Sequence, residues 1–557
     1  MSHLWIKLTW VLLLVATAVT CLFFLVNFPI VGHDSYFHLT NLDQFIKLRN
    51  EGITLPRWTP NNFRGLGSAT LYFYPPLLSV LGAIFHLAGA SVEYSLNMVA
   101  LFATGTAILF CRWYLSLLGF RSRNAWMGAL LYAIGPYAFF DVMIRSALSE
   151  YLAFAWVPLV FIGLEYSFMA DRPASRKSVK ALIISCLGWS LLVLTNISAL
   201  ILILWCIAIL LVVRMNVRSL WKLVPFGLGS VLAILCTSFY IFPVLHFQSA
   251  AQLFQLSQMN GAPLFAQNIF AHLFSIHEGS SAFISAFMLP IAIILAVVWY
   301  RRWRQTSARV HLGWSLIMLL VVLVQIPYLA APVAKVFPPL ALIQFPFRFF
   351  LIVCLSISIW SSTISKEQIP KYGLFYIGIS SVAVLLLAVF IIAREPYGVR
   401  YPIEEKIGWS LPAYAPVQAS WNPDTVNRLA NENMNDSEVT AVSGMRDFDT
   451  LQTIYRKGSR SEFYVNLHQP TLVQFHRFYW PLWNLQDDRG MQIPLQADSN
   501  GLLRAVLPAG NYHLMLEIIK SPIEDLGEKI SIMGVCFIGF LCVLCFYLSR
   551  KPIAIEP

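Results

Sequence analysis

Trp5 to Ile30 reads WIKLTWVLLLVATAVTCLFFLVNFPI, an apolar run long enough to cross a bilayer, and it leads into Gly32-His33-Asp34-Ser35-Tyr36-Phe37-His38. No small-residue cleavage pattern follows the run and only Lys7 precedes its apolar part, so a retained anchor is expected here and not a removed leader. An ionisable side chain at a membrane exit is costly unless it serves something, which makes Asp34 a functional candidate. Interfacial loops also carry Asp for solvation alone, and Asp34 by itself weighs the two readings equally.

The rest of the chain repeats the first run. Of its 557 residues, 58% are hydrophobic and 12% charged, and apolar runs of bilayer length recur throughout, which predicts a polytopic α-helical membrane protein. Basic loops stay on the cytoplasmic side, and the short loops Arg172–Lys180, Arg214–Lys222, Arg301–Arg309 and Lys366–Lys371 are basic, as is Arg550-Lys551. Spans near 6–28, 74–90, 94–117, 151–168, 180–195, 197–213, 224–245, 283–300, 312–330, 347–364, 372–393 and 528–549 put all five inside, so about twelve transmembrane helices are expected. Asn124–Asp141 does not fit that count. Spanning would place either Glu150 or the Arg172 loop on the wrong side, so a short or partly inserted helix is expected there.

The apolar pattern divides the chain into a membrane domain over 1–393, with an outer loop at 31–72, a polar stretch over 394–526, and a final span and tail over 527–557. The polar stretch is of domain size. It holds twelve Lys/Arg against sixteen Asp/Glu, a net of −4, so the chain's +11 comes from the remainder and its basic cytoplasmic loops. That distribution argues against a nucleic-acid partner. Glu462–Leu467, Thr471–His476, Leu502–Leu507 and Tyr512–Glu517 alternate or cluster β-formers, which predicts a mainly-β domain, a small sandwich, on the periplasmic side before the last span. Arg394–Gly444, rich in Pro, Asn and Trp, is expected to be irregular or helical. All nine cysteines fall in apolar spans, where a thiol acts as a small hydrophobe. There is no CxxC signature, P-loop or Rossmann glycine fingerprint.

Chemistry is expected among polar residues at the outer edge. In the first outer loop, Leu39, Leu42, Phe45, Ile46 and Leu48 recur near helical spacing against Asn41, Asp43, Gln44, Lys47 and Arg49, as in an amphipathic helix on the membrane surface. Pro56-Arg57-Trp58-Thr59-Pro60 and Tyr72-Phe73-Tyr74-Pro75-Pro76 then suggest rigid turns and an interfacial aromatic belt. Asp141, Arg145 and Glu150 lie within ten residues at a membrane edge, where they can hold a phosphate, a metal or one another. Arg348, in Gln344-Phe345-Pro346-Phe347-Arg348, can bind a phosphate bidentately or snorkel to lipid headgroups. His246, His272, His277 and Glu278 gather around one loop, and ordinary loop residues are the favoured reading of them.

In this order the features resemble the GT-C superfamily of integral-membrane glycosyltransferases: a first span, an acidic outer loop at His33-Asp34, an amphipathic segment, a Tyr-Pro-Pro re-entry and a second outer acidic site. More closely, the chain resembles bacterial membrane proteins labelled as related to 6-pyruvoyl-tetrahydropterin synthase, a label not to be read as pterin chemistry. Gly32, Asp34 and His38 match their Gly-x-Asp-x-x-x-His-like start, Arg145, Ala147 and Glu150 their Arg-x-Ala-x-x-Glu element, and Gln344, Pro346, Arg348 and Phe349 their Gln-x-Pro-x-Arg-Phe element. Phe478-Tyr-Trp-Pro-Leu-Trp483 and Asp498-Ser-Asn-Gly501-Leu-Leu extend the likeness over nearly the whole chain.

The resemblance implies an enzyme of the bacterial inner membrane that moves one sugar from a polyprenyl-phosphate donor to a lipid, glycan or protein acceptor on the outer face. Asp34 would be its general base and Glu150 a second acid near the donor phosphate or a metal. Arg348 would be a phosphate contact, with His33, His38, Arg145 and Gln344 binding substrate. Ser35 follows Asp34, so no Asp-x-Asp pair forms and no metal ligand is assigned. No cofactor is assigned with certainty, and a divalent cation stays open. The residues suit the chemistry independently, since an attacking hydroxyl needs a carboxylate base and a departing phosphate needs positive charge. A lipid-linked glycan flippase, or a non-catalytic glycan-binding assembly protein, remains the alternative; neither a convincing inverted repeat nor a fixed-period repeat is visible.

Overall fold

The apolar runs fold as helices because a backbone in lipid must satisfy its own hydrogen bonds. The computed structural model describes residues 2–26, 32, 34–63, 65–173, 175–215, 217–251, 279–326, 343, 345–363, 439–446 and 449–550. The first helices are α1 (Ser2–Leu25), α2 (Ser35–Asn50), α3 (Thr70–Phe73), α4 (Leu77–Leu87) and α5 (Val92–Leu117). Then come α6 (Ser122–Ile134), α7 (Pro136–Phe139) and a π turn over Phe140–Ile144. They are followed by α8 (Leu148–Phe168), α9 (Arg176–Val193), α10 (Ile197–Arg214), α11 (Val224–Cys236) and α12 (Ser238–Phe247). Further helices run over Gly279–Thr306, Arg309–Val324, Phe350–Ser362 and Pro522–Arg550. Several starts carry side-chain caps: Ser91 Oγ accepts from Tyr94 N, Ser175 Oγ from Ser178 N and Asn196 Oδ1 from Ala199 N. α8 is apolar on nearly every face and buried along its length, so it forms the centre of the bundle with α5 and α9 against it.

Among the described residues five helices are long and apolar enough to cross a membrane: Val92–Leu117, Ser122–Ile144, Leu148–Phe168, Ile197–Arg214 and Pro522–Val543. A sixth follows if the pair Leu220–Cys236 and Ser238–Ala250, bent by 70°, counts as one span. The expected number of twelve is not reproduced, and the span expected at 372–393 lies outside the described residues. Two expectations change. The segment expected to be short or partly inserted, 124–141, belongs to a 23-residue stretch, Ser122–Ile144, interrupted at Gly135 but long and apolar enough to cross. It packs closely because Gly128 has no side chain; a Cβ there would lie 2.6 Å from the Ser358 carbonyl. Conversely, the span expected over 74–90 has a helix of only 11 residues, Leu77–Leu87. Exchanging one for the other leaves the parity of the later basic loops unchanged.

α2 does not lie on a surface with one wet face. Thr40, Asn41 and Gln44 are buried along with Leu42 and Phe45. Gln44 Nε2 donates to Asn62 Oδ1 (2.8 Å), and Gln44 Oε1 accepts from Asn61 N (2.8 Å). Periodicity marks this face as polar but does not distinguish water from a protein partner.

The polar stretch carries two antiparallel sheets, one ordered β1-β4-β8-β7 and one β2-β3-β9-β5-β6. Their strands are β1 (Val439–Ser443), β2 (Thr450–Lys457), β3 (Arg460–Leu467), β4 (Thr471–Phe478), β5 (Trp483–Asp487), β6 (Gln492–Ile493), β7 (Gln496–Ala497), β8 (Leu502–Leu507) and β9 (Gly510–Ile518). β3 alternates, sending Phe463, Val465 and Leu467 inward, and Phe463 meets Phe475 of the other sheet with ring centroids 5.3 Å apart. Of the part expected to be irregular or helical, Arg394–Gly444, residues 394–438 lie outside the described residues, and its end is instead a strand, β1, paired to β4.

The outer loop is the base of this sandwich. Trp58, Tyr72 and Phe73, which suggested an interfacial belt, share one core with Phe63, Trp480 and Trp483. Phe478 N donates to the Leu66 carbonyl at 2.8 Å. Buried Arg57 pairs with Glu524 of the last helix at 3.0 Å and donates to the Phe239 carbonyl at 2.6 Å.

Candidate active site

The segment between α1 and α2 meets the turn between α7 and α8 through glycine. A Cβ on Gly32 would lie 2.4 Å from Ser146 Oγ and 2.5 Å from the Ile144 carbonyl, so only glycine lets the two segments touch. Asp34 N donates to the Arg145 carbonyl at 2.8 Å, and Ser35 Oγ donates to the Gly32 carbonyl at 2.8 Å. Asp34 occupies the N-cap position of α2, yet its carboxylate makes no capping hydrogen bond, and its side chain is 43% exposed. The main chain at Asp34 is thus pinned while its carboxylate is unspent.

The opposing turn is unusual backbone. The π turn over Phe140–Ile144 ends at Ser146, whose φ is +54°, and Ala147 N donates to the Asp141 carbonyl at 2.9 Å. Left-handed non-glycine residues and π turns are costly forms that concentrate at functional sites. This one turns Arg145 inward between two buried acids. Arg145 Nη1 donates to Asp141 Oδ1 at 2.5 Å and to Glu150 Oε2 at 2.9 Å. Its other terminal nitrogen, Nη2, lies 3.7 Å from Asp34 Oδ2, and the Phe347 ring covers the guanidinium at 4.9 Å.

Glu150, in the first turn of α8, is fully engaged. Tyr137 Oη donates to its Oε1 at 2.5 Å, and its Oε2 also faces Arg348 Nε at 3.2 Å, an ion-pair approach without hydrogen-bond alignment. Arg348 Nη1 donates to Ser198 Oγ in the first turn of α10 at 2.6 Å. Phe345 and Phe347, stacked 5.1 Å apart, lie beside the two arginines, with Arg348 5.5 Å over Phe345.

The structure therefore brings Asp34, the Arg145–Glu150 turn and Arg348 together from three separate stretches of chain. His38 follows one turn after Asp34, with its N–H on the Asp34 carbonyl (3.1 Å) and its ring against Phe37 and Tyr74. Burial pushes its imidazole down to about 4, with Asp34 opposing and Arg145 adding to that shift, so it is neutral at pH 7. His33 and Gln344 lie outside the described residues, as do His272, His277 and Glu278. Tyr137 and Ser198 were not anticipated. Asp141 had been grouped with Arg145 and Glu150, and its spacing four residues before Arg145 is the signal that pairs them on a helical turn.

Ionised, the cluster sets three carboxylates against two guanidiniums. Among the described residues no group of three or more His, Cys, Asp or Glu is placed to hold a metal ion. Arg145 takes one oxygen each of Asp141 and Glu150, and Tyr137 and Arg348 occupy the rest of the Glu150 carboxylate, so Glu150 has no oxygen free for a divalent cation. The arrangement offers an accessible proton acceptor, Asp34, beside buried positive charge suited to an anion.

No family model matches the chain. An uncharacterized protein of Lactococcus lactis subsp. cremoris (strain MG1363) is 24% identical over 335 residues, 57% of this chain and 53% of that one, so the match spans about half the relative's length. Among solved structures, the arabinofuranosyltransferase AftD from Mycobacteria aligns with a TM-score of 0.41 and 18% identity, covering 76% of this chain and 28% of that one. The Archaeoglobus fulgidus oligosaccharyltransferase in its apo form gives 0.36 and 13%, covering 77% and 58%. ArnT from Cupriavidus metallidurans, bound to undecaprenyl phosphate, gives 0.26 and 12%, covering 81% and 97%. Likeness at this level leaves function to the geometry.

Proposed function

We propose that the chain is a GT-C-type membrane glycosyltransferase that moves one sugar from a polyprenyl-phosphate donor to an acceptor hydroxyl on a lipid, glycan or protein, at the outer face of a bacterial inner membrane. The closer kinship with the proteins labelled as pterin-synthase-related belongs to the same proposal. The observation that carries it is the pairing of an unspent, half-exposed carboxylate on pinned backbone with a buried two-arginine cluster.

Asp34 takes the proton of the acceptor hydroxyl as that oxygen attacks the anomeric carbon. The bond from the anomeric carbon to the phosphate oxygen breaks, and the phosphate leaves with the electron pair. Arg145 and Arg348 balance the charge it gains, in a site already walled by Phe345 and Phe347. A single displacement inverts the linkage. Glu150 takes a different part from the one the resemblance assigned it. With Tyr137 on one oxygen and both arginines on the other, it positions the guanidiniums and has no oxygen left for a metal.

The outer placement is supported by the polarity of the bundle. The cluster sits at the Glu150 end of α8, and Lys180, Arg214 and Lys222 gather at its other end around Tyr166, Glu165 and Phe168. In this reading the sandwich, built on the same loop that carries Asp34, orients the acceptor. The test is to incubate purified wild-type and Asp34→Asn protein with radiolabelled polyprenyl-phosphate sugars and membrane extract. Label leaving the donor with wild type, and not with a folded Asp34→Asn protein, is expected; no transfer by wild type from any donor would overturn the reading.

A further inference from the structure

Arg145 has one edge for its permanent partners and another for something that changes. Nη1 is taken by Asp141 and Glu150, and the ring of Phe347 closes a face of the guanidinium. Nη2 has only Asp34 before it among the described residues, at 3.7 Å, which is beyond hydrogen-bond distance. The Nη2 edge is thus one that an anion can reach, and the group already there is negatively charged.

We infer that Asp34 and an incoming phosphate monoanion compete for the Nη2 edge of Arg145, so that donor binding detaches Asp34 from its counter-ion and frees it for the acceptor hydroxyl. This rests on the function proposed above and adds an order to it. In the empty protein Arg145 balances Asp34, which keeps the carboxylate in place without spending it in a hydrogen bond. With phosphate on Nη2, the same guanidinium balances the phosphate, and Asp34 faces a second anion. As the reaction proceeds, Asp34 gains the acceptor's proton while the phosphate gains the electron pair of the bond it leaves. Negative charge thus passes from one neighbour of Arg145 to the other, and the total facing the guanidinium stays the same. Donor therefore binds before acceptor, and an acceptor alone meets a carboxylate still held by Arg145. Arg348 stands outside the competition, since its contacts run to Glu150, Ser198 and Phe345 and none runs to Asp34.

The competition has a consequence opposite to that of an ordinary binding residue: removing the charge of Asp34 abolishes transfer but tightens the donor. The full chain in nanodiscs would be titrated with a short-chain polyprenyl monophosphate, as wild type, Asp34→Asn, Arg348→Gln and the double variant, each checked for its thermal unfolding midpoint. Asp34→Asn is expected to bind the monophosphate about three- to tenfold more tightly than wild type, the scale of a partly exposed ion pair. The same gain should persist when Arg348→Gln has weakened binding overall. Equal or weaker binding by a folded Asp34→Asn protein would overturn the competition while leaving the glycosyltransferase reading intact. No binding of the monophosphate by either wild type or Asp34→Asn would overturn that reading and this one with it.

Discussion

Helix α8 carries a glutamate near each end, and each meets arginine in a different way. Glu165 is gripped by Arg214 alone, Nη1 to Oε1 at 2.5 Å and Nη2 to Oε2 at 3.0 Å, with the Phe168 ring 4.0 Å beneath the guanidinium. Acid and base match one to one, both oxygens are used, and nothing about the pair invites a third charge. Glu150 shares one oxygen between two arginines, one of which also holds Asp141 and faces Asp34. The lesson concerns stoichiometry more than burial. A buried pair that saturates itself holds helices together, whereas a cluster with surplus acid and unspent guanidinium edges is arranged for a visitor.

The difference is broken most sharply at Asp34. Asp34→Asn is expected to lower the transfer rate by about 10²- to 10⁴-fold, the usual worth of a general base, with the unfolding midpoint unchanged because no hydrogen bond is lost. The labelled-donor assay reads the rate and a thermal melt reads the fold; a variant as active as wild type would leave the Glu150 end as structural as the Glu165 end. Next in size is Arg145→Gln. It strands the buried Asp141 and leaves Glu150 only Tyr137 and Arg348, and is expected to cost about 3–5 kcal/mol in unfolding free energy along with all activity. Arg145→Lys, keeping one charge but not the fork, should recover part of the stability and little of the transfer.

Four site residues were readable because charge is conspicuous in an apolar chain: Asp34, Arg145, Glu150 and Arg348 stand out in stretches otherwise meant for lipid. Their neutral partners were not. Tyr137 and Ser198 are ordinary members of apolar helices, and only the fold brings them to Glu150 and Arg348. The alternation in β3 and the final apolar helix were likewise plain. The enclosure of α2 was hidden because Gln44 finds Asn61 and Asn62 where a surface helix would find water. The shared core of the outer loop and the sandwich was hidden because Trp58 and Tyr72 read the same way whether they face lipid headgroups or Trp480 and Trp483. Ser122–Ile144 differs from expectation for a third reason: the charge rule made 124–141 short or partly inserted and 74–90 a span, whereas by length and apolar composition the first suffices to cross and the helix in the second has 11 residues.

The comparison is sharpened by pH, since His38 lies beside the Asp34 cluster and the Glu165 pair has no equivalent. Burial lowers its imidazole from the ordinary 6.5 to about 4 in the folded state, so the unfolded chain binds the extra proton first. The stability held by a neutral His38 is complete above about pH 6.5 and falls as pH drops toward 4, by about 3 kcal/mol at most. Unfolding free energy measured from pH 7 to pH 4 should decline in wild type, and His38→Gln should flatten that decline. A slope untouched by His38→Gln would place its cause elsewhere.

The smallest effect is expected at the other end of α8, and it tests the contrast from the opposite side. Glu165 and Arg214 are partly exposed, with side chains 11% and 19% accessible, so solvent meets part of the cost when one partner is removed. Arg214→Gln leaves the Glu165 carboxylate at an end of α8 where Lys180 lies over Tyr166 and Lys222 donates to the Phe168 carbonyl. A loss of about 1 kcal/mol is expected, larger than for a fully exposed pair because the fork is bidentate and stacked on Phe168. Donor affinity and transfer rate should not change, because nothing links this pair to Asp34 except the length of α8. If Arg214→Gln instead slowed transfer as strongly as it lowered stability, the two ends of the helix would be one coupled network, and the separation of a structural pair from a working cluster would fail.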